Sequence, residues 1–138
     1  MPADNPGQTI ATTVIGKVVL GMSALAFIGY GLTSLLSPEI PARLAGIAIT
    51  NADGFAEVGA MYGGLQTGIG LFCLLSLLKA DFYRAGLALL ALAIGTLALA
   101  RLLTMLVSTG EVSTYTWGAL AYEFATTGLA TFAFVKTK

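Results

Sequence analysis

Four long apolar runs constrain this chain more than any other feature of its sequence. They cover residues 18–36, 58–78, 85–107 and 116–135, which are 19, 21, 23 and 20 residues long. A helix needs about 20 apolar residues to cross the hydrocarbon core of a bilayer. Helices are the expected form, because lipid offers no hydrogen-bonding partner to an unpaired backbone group. The sequence therefore predicts an all-α fold, a four-helix transmembrane bundle.

The composition agrees with a membrane location and excludes one class of partner. Charged residues make up 10% of the chain and hydrophobic residues 57%, whereas soluble domains carry about 25% charged residues. The seven basic and seven acidic residues form no basic stripe, so we expect no nucleic-acid partner. At 138 residues, one integral membrane domain over residues 1–138 is expected.

The residues that the chain lacks limit its chemistry. It has no histidine, which excludes bis-histidine haem ligation, histidine zinc sites and histidine general bases. The single cysteine, Cys73, lies in an apolar run and cannot form an intrachain disulfide. We therefore expect a protein that is not an enzyme and holds neither a metal ion nor a cofactor.

The first apolar run has an alternative interpretation as a signal peptide. Residues 24–26, Ala-Leu-Ala, resemble a cleavage site, and Lys17 could be the positively charged flank. However, the apolar stretch continues for ten residues past that triplet. A retained helix is therefore the favoured interpretation.

The distribution of basic residues predicts the orientation. The side that holds both termini and the 79–84 turn carries five basic residues, which are Lys17, Lys79, Arg84, Lys136 and Lys138. The opposite side has only Arg43 in its loops. Basic residues concentrate on the cytoplasmic side. We expect both termini in the cytoplasm; in a bacterium the membrane would be the inner membrane.

The connections between the runs differ in length. Residues 79–84 predict a tight turn, so the second and third runs should be antiparallel neighbours. Residues 37–57 are semi-apolar but too short and too polar to span. This segment is expected to lie along the outer interface as a short amphipathic turn.

Glycines concentrate in the second run. One face carries Gly59, Tyr62, Gly63, Gln66 and Gly70, and a second stripe carries Gly64 and Gly68. Small residues let helices approach closely in lipid. The pattern predicts a central helix packed against several neighbours, in which Gly63 and Gly64 tolerate a larger side chain far less than Gly31 does.

Charged and polar residues are predicted to form a cluster in the outer half of the membrane. Arg101 lies six residues before the end of the third run and Glu123 seven residues after the start of the fourth, which gives depths of about 9 and 10 Å. Glu57 enters the second run at the same surface, followed by Tyr62 and Gln66. Because charges inside a membrane normally find partners, we expect Arg101 to contact Glu123, Glu57 or both.

Three roles are open for this cluster. It could be a structural clasp that fixes helix order and register. It could be a pocket open to the outer leaflet, in which Arg101 contacts an anionic headgroup or a carboxylate. It could also be a proton or ion pathway that uses Glu123, although the polar residues do not continue toward the inner face.

The stretch Glu57 to Gly70, with Arg101 and Glu123, also carries a family resemblance. It resembles a group of small bacterial four-helix membrane proteins described as a domain of unknown function, neighbours of the DoxX-like proteins. The resemblance covers about residues 18–135. It implies a four-helix bundle and an association with oxidoreductase systems. The chain has no histidine or cysteine pair, so the resemblance implies only an accessory role.

These observations support three hypotheses about function. The first is a non-enzymatic membrane protein whose polar cluster binds a lipid-like or quinone-like molecule, or a partner subunit. The second is an accessory or stabilising subunit of a larger membrane complex. The third is a small transporter or channel formed by oligomerisation, which needs Glu123 to face a wet cavity. The expected partners are membrane lipids, and either another membrane protein or further copies of the chain.

Overall fold

A computed structural model describes residues 6–137, and every regular element in that range is helical. The five helices are α1 (Pro6–Leu36), α2 (Glu39–Ala45), α3 (Ala52–Leu78), α4 (Ala80–Val107) and α5 (Thr114–Lys136). The predicted all-α class is therefore confirmed. Lys138, which was counted among the basic residues above, lies outside the described residues.

Three helices in this range are long and apolar enough to cross a membrane. They are Ile10–Leu36 within α1, Ala52–Leu78 and Ala80–Val107. Helix α5 is not among them, because Glu123 and several threonines lower its mean hydropathy. The fourth crossing therefore stays a prediction.

Helices α1 and α3 begin earlier than the apolar runs predict. Helix α1 is already formed at Pro6, the first described residue. Helix α3 begins after Asn51, whose side-chain oxygen accepts a hydrogen bond from the backbone N–H of Gly54 at 2.8 Å. Glu57 consequently lies in the second turn of α3.

The connections are shorter and more helical than predicted. Lys79 alone separates α3 from α4, and its extended backbone (φ −121°, ψ 115°) interrupts the helix. The predicted turn over 79–84 is therefore wrong in extent, because α4 begins at Ala80. The segment predicted to be an interfacial turn contains α2, which ends where Gly46 adopts a left-handed conformation (φ 69°) that glycine accepts without steric cost.

Two of the long helices contain a wider π-helical turn. These turns cover Gly59–Gly64 in α3 and Leu90–Ile94 in α4. A π turn is rare, and it often marks a functional part of a helix. The apolar periodicity of the sequence did not predict either turn.

The chain divides into two compact units. One unit holds the chain through Gly21 together with residues from Ser76 onward, and the other holds Met22–Leu75. In the Met22–Leu75 unit, α1 and α3 pack antiparallel through their backbones. A Cβ atom placed on Gly63 would lie 2.7 Å from the backbone of Leu35, and one on Gly70 would lie 2.7 Å from the backbone nitrogen of Ile28.

The expected pattern of glycine contacts is only partly present. Gly59 makes an ordinary contact, since its added Cβ would lie 3.5 Å from Pro38, but the same atom on Gly64 or Gly68 would meet nothing within 4 Å in the described part of the chain. The second glycine stripe is therefore exposed and lies off the helix contact. The expected tolerance of Gly31 is also wrong, because its added Cβ would lie 2.5 Å from the backbone nitrogen of Thr67.

In the other unit, α4 and α5 pack antiparallel over most of their length. Near the start of α4, Arg84 Nη1 donates a hydrogen bond to the carbonyl oxygen of Phe134 at 3.4 Å. Farther along, a Cβ added to Gly95 would lie 3.0 Å from Thr127 Cγ2. A third contact, farther along α4, joins Arg101 to Glu123.

The first turns of α4 also contact α1 within this unit. The Tyr83 hydroxyl donates a hydrogen bond to the carbonyl oxygen of Thr13 at 3.3 Å. The Tyr83 side chain occupies the space that a Cβ on Gly16 would need. A residue without a side chain at position 16 thus lets α4 approach α1.

We expect the two adjacent glycines of α3 to respond oppositely to alanine. Gly63→Ala should lower stability by about 1–3 kcal/mol, because overpacking pushes backbone against backbone. Gly64→Ala should be neutral or stabilising, because alanine favours a helix by about 1 kcal/mol over glycine and position 64 has open space around it. Thermal unfolding in detergent measures both. Equal losses at the two positions would contradict the described α1–α3 contact.

Candidate functional site

A paired arginine and glutamate form the main electrostatic feature of the unit that contains α4 and α5. Arg101 Nη2 lies 2.7 Å from Glu123 Oε1, and Arg101 Nε lies 3.1 and 3.0 Å from the two carboxylate oxygens. Two guanidinium nitrogens thus grip one carboxylate, the geometry in which an arginine binds a carboxylate most specifically. The contact joins α4 to α5.

The two partners differ in their exposure. The Glu123 side chain is 6% exposed and the Arg101 side chain 27%. Glu123 belongs to the buried face of α5, which it shares with Leu120, Thr126, Ala130 and Ala133. A carboxylate in that position would be costly without a cation, and Arg101 supplies one.

The pair as described favours a structural role. Both carboxylate oxygens of Glu123 accept hydrogen bonds from Arg101, so the buried carboxylate is already paired with a cation. The two charges cancel, which removes the net charge that would attract an ion. The pair fits the clasp better than it fits an ion pathway.

The other three predicted cluster residues belong to the Met22–Leu75 unit. Glu57 is exposed, and Tyr62 and Gln66 are half-buried on the following turns of α3. Tyr62 lies within the π turn Gly59–Gly64. Their expected proximity to Arg101 stays a prediction.

Two of these residues line a pocket. The pocket has a volume of about 280 Å³, and its surface is almost entirely apolar. It lies where the irregular segment after α2 meets α3, and it is lined by Ile47, Ala48, Ile49, Gly54, Glu57, Val58, Met61 and Tyr62. Glu57 and Tyr62 thus contribute to its wall, and Gln66 does not.

The apolar wall of this pocket was not predicted from the sequence. Ile47, Ala48 and Ile49 follow the left-handed Gly46 and precede the capping residue Asn51. An apolar triplet between a helix stop and a helix start is the signal that could have indicated it. The interpretation of residues 37–57 as one amphipathic turn concealed that signal.

The described residues also bear on metal binding. No group of three or more histidine, cysteine, aspartate or glutamate residues in the described range is placed to hold a metal ion. Cys73 is a free, buried thiol.

Comparison with known proteins gives one match. A family described as a domain of unknown function (DUF4345) matches residues 15–134, which is most of the chain. No curated protein and no solved structure matched the chain. A link to the DoxX-like proteins does not emerge from these comparisons.

We expect the ion pair to show strong coupling in a double-mutant cycle. Arg101→Leu and Glu123→Leu should each lower thermal stability in detergent, because breaking a buried pair costs about 3–5 kcal/mol. The double variant should recover part of that loss. Interactions measured in bilayers are smaller, about 0.6 kcal/mol on average, so the sign of the coupling is the criterion. Strictly additive losses would show that the two residues do not support each other.

Proposed function

The chain belongs to the DUF4345 family, whose description assigns no function, and we propose that it is a non-enzymatic membrane protein that binds a lipid-like or quinone-like molecule. In this proposal all four long helices cross the membrane. The bound molecule occupies the pocket at the start of α3, and the Arg101–Glu123 pair holds α5 against α4.

The fourth crossing is supported by the length of α5 and by its charge pairing. Its 23 residues correspond to about 34 Å, enough for the hydrocarbon layer. Hydropathy counts Glu123 as an isolated charge, yet its side chain is 6% exposed and paired with Arg101. Pairing is the usual way in which a membrane helix accommodates a charged residue.

The pocket beside Glu57 and Tyr62 is the observation that carries the ligand proposal. An apolar cavity of about 280 Å³ suits the chain or ring of an amphiphile better than a soluble metabolite. Glu57 and Tyr62 line the pocket through their apolar atoms, because almost none of its surface is polar. The pocket would therefore hold the apolar part of the ligand. The π turn that holds Tyr62 is typical of such sites.

The other two hypotheses rest on the sequence alone. An accessory subunit, including the association with oxidoreductases that the resemblance to DoxX-like proteins implies, would purify in a complex of defined larger size. A transporter would need Glu123 in a wet cavity, and the described carboxylate is buried against Arg101. Neither alternative accounts for the pocket.

We expect cysteine labelling to place both termini in the cytoplasm. In a Cys73→Ala background, a membrane-impermeant maleimide should modify Thr50→Cys and Ser113→Cys in intact cells. It should modify Thr137→Cys only after the cells are lysed. The physical reason is the excess of basic residues on the side of the termini. Strong labelling at position 137 in intact cells would show the opposite orientation.

We expect a photoactivatable amphiphile to label the pocket specifically. The probes are a diazirine-bearing phosphatidylcholine and a diazirine-bearing short-chain benzoquinone, each added to the full chain in nanodiscs. Peptide mass spectrometry should place the label within residues 47–62. Met61→Trp should reduce labelling severalfold, because the indole fills the pocket that Met61 lines.

Leu65→Trp is the matched control for this experiment. Met61 and Leu65 lie one turn apart on α3 and are 48% and 51% exposed, but only Met61 lines the pocket. Leu65→Trp should leave the labelling unchanged. Equal labelling of the two variants, or a label spread evenly over the lipid-facing residues, would contradict the proposed site.

A further inference from the structure

A groove lies in the unit that contains α4 and α5, where α1 and the last turns of α5 meet. It has a volume of about 260 Å³ and is lined by Ala11, Thr12, Ile15, Phe132 and Lys136. Unlike the pocket at α3, it combines a mainly apolar surface with a substantial polar part. The site already described contains none of these residues.

The polar part of the groove carries a positive charge. Lys136 lies in the last turn of α5 and is exposed, and no ion pair in the described part of the chain involves it. Arg84 reaches the same end of α5 from α4, with its guanidinium carbon 4.6 Å from the centre of the Phe134 ring. Among the described residues that line the groove, none is acidic.

The apolar part of the groove has the character of a site for a hydrocarbon chain. Ile15 from α1 and Phe132 from α5 form its wall, one turn before Lys136 on α5. A ligand that fits both the positively charged part and the apolar part of the groove must be an anion that carries an apolar chain. We propose that this groove binds an anionic phospholipid, with its phosphate at Lys136 and an acyl chain along Ile15 and Phe132.

A lipid bound in this groove differs from ordinary snorkelling, in which a lysine side chain merely extends toward the lipid phosphates. Any lysine near a helix end can extend toward lipid phosphates, and a single lysine near an anionic surface contributes about fivefold in affinity. Lys79 provides the comparison, because it is exposed between α3 and α4 and does not line the groove. Snorkelling alone predicts equal effects at the two lysines, whereas a built site predicts an effect at Lys136 only.

The test measures lipid binding to the full chain in a neutral detergent by native mass spectrometry. The probes are phosphatidylglycerol and phosphatidylcholine with identical acyl chains, and sodium phosphate as a soluble competitor. The unmodified chain should retain phosphatidylglycerol preferentially. Lys136→Gln should reduce that preference about fivefold, Lys136→Arg should preserve most of it, and Lys79→Gln should leave it unchanged.

A further variant tests the apolar part of the groove. Ala11 is exposed at the groove wall, so Ala11→Trp can place its indole in the groove without entering the helix contact. This variant should lower the retention of both lipids. Equal losses in Lys136→Gln and Lys79→Gln would overturn the proposal. So would displacement of phosphatidylglycerol by millimolar phosphate, which would indicate a site for free anions, or unchanged lipid retention in Ala11→Trp.

Discussion

A helix surrounded by lipid gains little by hiding its leucines from hydrocarbon, so its association with other helices depends on close packing and on paired polar groups. The described chain uses both devices. In the Met22–Leu75 unit, Gly63 and Gly70 bring the backbones of α1 and α3 together. In the other unit, the guanidinium of Arg101 neutralises the buried carboxylate of Glu123. The many exposed leucines and phenylalanines need no further partner in that solvent.

The sequence was most informative where depth and spacing determine contacts. The positions of Arg101 and Glu123 in consecutive apolar runs predicted matching depths, and antiparallel α4 and α5 carry the two residues in contact. The ends of the helices were also predicted well, since Leu36, Leu78 and Val107 end α1, α3 and α4. These features follow from helix rise and from the cost of an unpaired charge in lipid, and both can be calculated from residue numbers.

Contacts that depend on one particular neighbouring residue could not be predicted from helix rise and the cost of an unpaired charge. Gly63 and Gly64 are adjacent and chemically identical, yet only Gly63 faces α1. The early start of α3 depends on a cap by Asn51, which apolar periodicity does not reveal. The pocket depends on the apolar residues Ile47, Ala48 and Ile49 lying beside α3. For the candidate site, therefore, the charged residues were identifiable from the sequence, and the apolar walls were not.

The π turn of α4 affects the direction in which later side chains point. A regular α-helix advances by about 100° per residue. A π turn, closed by a hydrogen bond to the fifth residue and not the fourth, advances by less. The π turn Leu90–Ile94 therefore changes the rotation about the helix axis between the two ends of α4. The start of α4 meets α1, and its end carries Arg101. If that turn tightened to regular α geometry, the end of the helix would rotate about its own axis and turn the guanidinium away from Glu123. The π turn thus sets the angle between the side chains at the start of α4 that meet α1 and Arg101 near its end. Neither could change direction without the other.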